Sequence, residues 1–243
     1  MTEAMKRGVR VEADALTRRF GDTLALDGVT LTIGAGEAFG LLGANGAGKT
    51  TFIRCLTGVL LPSGGDVRVD GFSPVTDPAA VRSRLGFVPE TSRLYPELSV
   101  LAFLRFAAGA RGLAGAAREQ AVTRVLERFA LGDVTRRLVG HLSKGFQQRV
   151  SLAQAFVADP QLVIVDEPTS GLDPLQQEEV RSQLRSLRGE RTLLLCTHDL
   201  AEARALTDRV AVLARGRLVA LGASHELLGG GDPLALFRNG AAA

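Results

Sequence analysis

The sequence predicts an α/β fold that opens on antiparallel β structure and carries a helical insertion. Apolar and polar residues alternate between residues 9 and 33, and a glycine-rich loop, Gly43 to Thr50, lies between an apolar run and a helical stretch. Two further apolar runs, Leu162 to Val165 and Leu193 to Cys196, are unbroken and have polar flanks. Alternation at a period of two suits half-buried strands, whereas short continuous apolar runs suit strands buried on both faces, as in parallel sheet.

In chain order, Val9, Val11, Leu24, Leu26, Val29, Leu31 and Ile33 carry the alternation, and Gly34 to Gly36 ends it as a turn. Ala38 to Leu42 reads as a short buried strand, and Thr50 to Thr57 as a helix stopped by Gly58; Pro62 and a Ser63-Gly64-Gly65 turn follow. From Ser99 to about Phe129, Leu101, Leu104, Ala108, Val122, Val125, Leu126 and Phe129 recur at helical spacings, which predicts a helical insertion. Phe146 to Val157 is a further amphipathic helix ended by Asp159-Pro160. Val210 to Leu213 and Arg217 to Leu221, joined across Ala214-Arg215-Gly216, predict a closing hairpin. The expected organisation is one domain over residues 9–223, with a helical subdomain at about 94–157 and a short tail over 224–243.

Composition narrows the function classes. The 243 residues are 46% hydrophobic and 23% charged, which suits a globular chain and excludes a fibrous or disordered one. The longest aliphatic runs fall far short of the roughly 20 residues of a membrane helix. The N-terminal MTEAMKRGVRVEAD has no apolar stretch after its basic residues. The expectation is a cytoplasmic protein. All but three of the 29 basic residues are arginine, yet the net charge is only +3, too slight to argue for nucleic acid as a partner. That charge equally suits an anionic lipid surface or carries no meaning at all. Cys55 and Cys196 lack metal-ligand spacing and sit in apolar stretches, where a free thiol acts as a small hydrophobe.

Gly43-Ala44-Asn45-Gly46-Ala47-Gly48-Lys49-Thr50 matches G-x-x-x-x-G-K-[ST] between a predicted strand and a predicted helix, the context in which that motif holds phosphate. The alternative is a glycine-rich turn with a helix cap. Glycines let successive N–H groups converge on phosphate oxygens at the positive end of a helix dipole. Lys49 is then the cation for the β and γ phosphates, Thr50 supplies a hydroxyl to Mg²⁺, and Thr51 completes the candidate contacts.

Leu162-Val163-Ile164-Val165-Asp166-Glu167-Pro168 runs from four apolar strand residues into two adjacent carboxylates, which a buried strand tolerates only at its end. A structural ion pair is one explanation. In a phosphate-loop protein the first acid, Asp166, serves Mg²⁺, and the second, Glu167, orients or deprotonates the attacking water.

With these motifs, the chain resembles the ATP-binding cassette (ABC) ATPases over residues 9–223, because further elements occur in that family's order. Leu142-Ser143-Lys144-Gly145-Phe146-Gln147-Gln148-Arg149 resembles its signature motif and lies 23 residues before Asp166. Ser170-Gly171-Leu172-Asp173 resembles its D-loop, and Thr197-His198-Asp199 its switch-histidine loop. The resemblance implies a phosphate-loop NTPase with a RecA-like core, an N-terminal antiparallel β region and a helical subdomain. It implies binding and hydrolysis of ATP with Mg²⁺ in a head-to-tail dimer, each ATP lying between one subunit's phosphate loop and the other's signature.

Within that resemblance, Ser143 and Gly145 form the signature's anion site, the alternative being plain helix capping; His198 contacts the γ-phosphate, and Asp173 meets the second cassette. Phe20 matches the aromatic residue that stacks on adenine, the alternative being a buried core phenylalanine. His141 and His225 match nothing and are expected at structural or surface positions. Two residues depart from the family pattern: Lys144 replaces a glycine, and Glu90, in Leu85-Gly86-Phe87-Val88-Pro89-Glu90, replaces the usual metal-facing glutamine. Glu90 still offers Mg²⁺ an oxygen and adds a negative charge.

The implied partners are a second cassette and a transmembrane permease subunit on a separate chain, met through the loop around Glu90 to Leu98. The chain is thus expected on the inner face of the cell membrane. Pro89-Glu90 with the following Leu94-Tyr95-Pro96 is similar to cassettes paired with bacterial export permeases. The competing classes are a cassette acting on ribosomes or DNA and a regulatory subunit that scarcely hydrolyses ATP. Lys49 and Ser143 are only 94 residues apart with no sustained heptads between them, which disfavours the former; Glu167 and His198 disfavour the latter, while Glu90 and Lys144 keep it open.

Overall fold

The computed structural model describes residues 8–91 and 94–229. The elements in chain order are β1 (Val11–Phe20), β2 (Thr23–Ile33), β3 (Ala38–Leu42), α1 (Lys49–Leu56), β4 (Gly64–Val69), α2 (Pro78–Arg84), β5 (Leu85–Val88), α3 (Val100–Ala110) and α4 (Gly115–Arg128). After two short 3₁₀ turns come α5 (Lys144–Phe156), β6 (Leu162–Asp166), α6 (Pro174–Arg185), β7 (Thr192–Thr197), α7 (Leu200–Leu206), β8 (Arg209–Ala214), β9 (Arg217–Ala223) and α8 (Ser224–Leu227). The described residues divide into two compact units, one of residues 8–82 and 187–229, the other within 83–186. No described helix is long and apolar enough to cross a membrane.

In the first unit the alternating N-terminal segment forms the expected antiparallel sheet, in the order β2-β1-β4. Gly21, at φ 55°, turns the chain so that Phe20 pairs with Thr23. The third strand is where sequence reasoning falls short, since Gly64 and Gly65, expected in a turn, already belong to β4. The reason lies in β1, whose register shifts around Ala15, itself at φ 45°. A Cβ on Gly65 would stand 2.2 Å from the Ala15 carbonyl oxygen, so glycine lets β4 pass close to the bulge.

A second sheet of this unit places β3 between β7 and β8, all parallel, with Leu41 opposite Cys196 and Ala211. Each of the five β3 residues is buried, as the unbroken apolar run demands. β9 returns antiparallel to β8 and makes the expected hairpin. Leu42, Ala203, Val210, Val212 and Leu228 form one core cluster of this unit. Both cysteines are buried.

In the second unit β5 pairs in parallel with β6, Gly86 opposite Val163. The helical run predicted from Ser99 to Phe129 is two helices. Ser99 starts α3 by accepting a hydrogen bond from the Ala102 N–H at 3.2 Å, and Gly112, at φ 82°, ends it while the Leu113 N–H donates back to Ala108. Helical spacing continues across the break, so periodicity alone does not reveal it. Phe129 of the α4 end packs on Phe156 of α5, ring centroids 5.3 Å apart. Arg105 on α3 donates twice to Glu119 on α4, which holds that exposed carboxyl below the usual carboxylate range.

Candidate functional site

The phosphate loop lies wholly in the first unit, where the sequence puts it. β3 delivers the chain to Gly43, Ala47 donates to the Ala44 carbonyl at 3.1 Å, and α1 begins at Lys49. Gly48 stands at φ 110°, and a Cβ there would lie 2.7 Å from the Ala25 carbonyl oxygen, so glycine is needed for both conformation and space. Gly43 is needed for space alone: its Cβ would lie 2.6 Å from the Leu213 carbonyl oxygen.

No side chain caps the start of α1 and its first turn holds no acid, leaving its positive end directed at the loop. The Lys49 side chain, 7% exposed, curls into the loop and donates to the carbonyls of Gly43 at 2.5 Å and Ala44 at 3.4 Å. Ala44, Asn45, Gly46 and Thr50 are exposed, while Thr51 is half-buried. The β8–β9 turn supports the loop from the far side: the Gly216 N–H donates to the Ala47 carbonyl at 3.0 Å, and the Asp27 N–H donates to the Gly216 carbonyl at 2.9 Å.

Phe20 and His198 belong to the same unit. Phe20 ends β1 and is 45% exposed, which excludes the core alternative, and the Arg18 guanidinium lies 4.6 Å from its ring centroid. His198 follows β7 and is exposed. Its neighbours fix the turn that carries it. The Asp199 N–H donates to Thr197 Oγ1 at 3.0 Å, and Asp199 Oδ1 accepts from the N–H groups of Ala201 and Glu202, capping α7. Sequence reasoning gave Asp199 no role, although Asp199 followed by Glu202 is the spacing of a capping box.

The second unit holds Glu90, Ser143, Gly145, Asp166, Glu167 and Asp173. Asp166 closes β6 and is 7% exposed, so the strand carries its carboxylate at its end as expected. Glu167 follows at φ 48°, in the left-handed region that a residue with a side chain occupies only at a cost. The backbone then folds tightly, Ser170 donating to Glu167 and Leu172 to Thr169. Gln177 braces this loop from α6, its amide 3.2 Å from the Leu172 carbonyl. Glu90 is exposed just beyond β5, while Ser92 and Arg93 of the loop expected to meet a permease lie outside the described residues.

Ser143 caps α5 by accepting from the Phe146 N–H at 3.4 Å. Gly145 is buried, and a Cβ there would stand 2.9 Å from Gln176 Cδ on α6. The Lys144 Nζ lies 3.7 Å from the point where a Gly171 Cβ would stand. This unit therefore brings the signature segment against the D-loop segment. His141 and His225 are both exposed, His225 with its Nε2 3.9 Å from Glu226.

The family model for ABC transporters matches residues 26–170. The chain is 41% identical over 214 residues to the Nod factor export ATP-binding protein I of Burkholderia lata, covering 87% of this chain and 70% of that one. It is 37% identical over 219 residues to the probable multidrug ABC transporter ATP-binding protein YbhF of Escherichia coli K12, covering 89% of this chain. That match spans only 38% of YbhF. A solved ATP-binding subunit of an ABC transporter superposes with a TM-score of 0.83 at 32% identity, over 95% of this chain and 99% of that one. The chain therefore belongs to the ABC transporter family, as one of its ATP-binding cassettes.

Proposed function

We propose that the chain binds and hydrolyses MgATP to energise an exporter whose membrane-spanning part is a separate permease polypeptide, acting at the inner face of the membrane. The observation that carries this reading is the phosphate loop: an uncapped positive helix end, with the Lys49 ammonium held inside the loop's curve. The named functions of the relatives, export of Nod factor among them, support the direction of transport.

Each candidate residue has a task in this reading. Residues Gly43 to Thr51 hold the phosphates, Phe20 stacks on adenine, and Ser143, Gly145 and Asp173 serve the nucleotide of a second cassette. Lys49 and His198 steady the γ-phosphate, and Glu167 prepares the attacking water. Mg²⁺ suits the donors offered, a hydroxyl on Thr50 and carboxylates on Asp166 and Glu90, because a hard cation takes one or two carboxylates alongside substrate phosphates. When bound, it neutralises charge on the β and γ phosphates. The single domain of residues 9–223, its helical subdomain near 94–157, and pairing with another cassette belong to the same proposal.

The test compares ATPase activity of the wild type with Glu167→Gln, together with elution in ATP on size-exclusion chromatography. Hydrolysis lost, with an ATP-dependent shift to a dimer, is the expected result. Wild-type hydrolysis by Glu167→Gln would remove the assignment of the base.

A further inference from the structure

Phe20 is held from one side by a cation. Positions 18 and 20 are two apart on β1, the spacing that places side chains on one face of a strand. Three observations show what Arg18 does there. Its guanidinium carbon lies 4.6 Å from the Phe20 ring centroid, within cation–π range. Its Nη1 donates to the Leu61 carbonyl at 2.7 Å, in the turn that follows α1. Its Nε is buried and, among the described residues, finds no hydrogen-bond partner. The neighbouring Ser63 Oγ accepts from the Arg19 N–H at 3.1 Å, which ties the same stretch of β1 to the same turn.

We infer that Arg18 is a positioning residue for nucleotide recognition: it covers one face of Phe20 and anchors that ring to the turn beyond the phosphate-loop helix, leaving the other face for a planar base. The inference rests on the assignment of Phe20 to adenine. An exposed phenylalanine on a strand end is free to rotate, and a ring already packed on a guanidinium loses less freedom when a base stacks on it. The guanidinium also draws on the ring's π density, which suits stacking against an electron-rich purine. Burial of Cys55 on α1 pushes its thiol up to about 11 while the Arg18 charge acts against that shift, a further sign that Arg18 reaches toward the phosphate-loop helix.

The test is calorimetric titration of the whole chain with ADP and, separately, with inorganic pyrophosphate, which has no base. Arg18→Ala is expected to raise the Kd for ADP about two- to tenfold and to leave that for pyrophosphate unchanged. Arg18→Lys is expected to recover part of the loss, since the charge returns without the planar fork. In a Phe20→Ala background, Arg18→Ala is expected to add nothing. Equal weakening of ADP and pyrophosphate, or an undiminished effect without Phe20, would overturn the inference and leave Arg18 as a brace for the Leu61 turn. Unchanged ADP affinity in Phe20→Ala itself would instead overturn the adenine assignment beneath it.

Discussion

Asp173 Oδ1 accepts a hydrogen bond from the Gln176 N–H at 2.9 Å, with Pro174 at the first turn of α6, so the acid assigned to a second cassette is also a helix cap. The two uses can be separated because asparagine caps as well as aspartate does. Asp173→Ala is expected to lower stability in urea by about 1 kcal/mol, and Asp173→Asn by no more than a few tenths. ATPase activity is expected to fall in both. Full activity in the asparagine variant would reduce Asp173 to a cap.

Glu167 stands at φ 48°, where a side chain costs about 1–2 kcal/mol of backbone energy. Glycine avoids that cost and gives some of it back as lost entropy of folding. Glu167→Gly is therefore expected to abolish hydrolysis and to be more stable by about 0.5 kcal/mol than Glu167→Ala, which lacks the same side chain, read from denaturant midpoints. A glycine variant less stable than the alanine variant would mean that the backbone at Glu167 is not under strain.

Cys55 carries a thiol raised by burial from 9.0 to about 11. In the unfolded chain it ionises near the lower value, so between the two the unfolded state binds fewer protons and gains stability. The folded protein thus keeps its full stability from this group below about pH 9 and loses roughly 2–3 kcal/mol as pH rises through 11. Cys55→Ala should flatten that part of the stability profile. An identical slope in wild type and variant would show that burial of the thiol has no such effect.

Much of the fold is legible in the sequence where one periodic signal dominates. β3, β6 and β7 are unbroken apolar runs, and each is a buried parallel strand. The phosphate loop is legible because glycine at positions 43 and 48 answers a local demand for space, visible as a motif without any tertiary knowledge. Two of the misses share a cause. Gly64 and Gly65 read as a turn because a sequence does not display the bulge at Ala15 that they accommodate across the sheet. Arg18 has no local signature, because its meaning depends on the Leu61 carbonyl, 43 residues away. The caps at Asp173 and Asp199 are readable from local sequence, and both lie in segments that also carry family motifs.

The short turn at Arg215-Gly216 bears on how the chain can be engineered. A hairpin tip of small and charged residues is the usual place to insert a tag, a fluorescent label or a new chain terminus. Here both polar groups of one glycine are committed, its N–H to the phosphate loop at Ala47 and its carbonyl to β2 at Asp27, and a Cβ on it would stand 2.8 Å from the Ala25 carbonyl oxygen. What is permissive in most hairpins is therefore a keystone here, and a graft at this tip would be felt at the nucleotide.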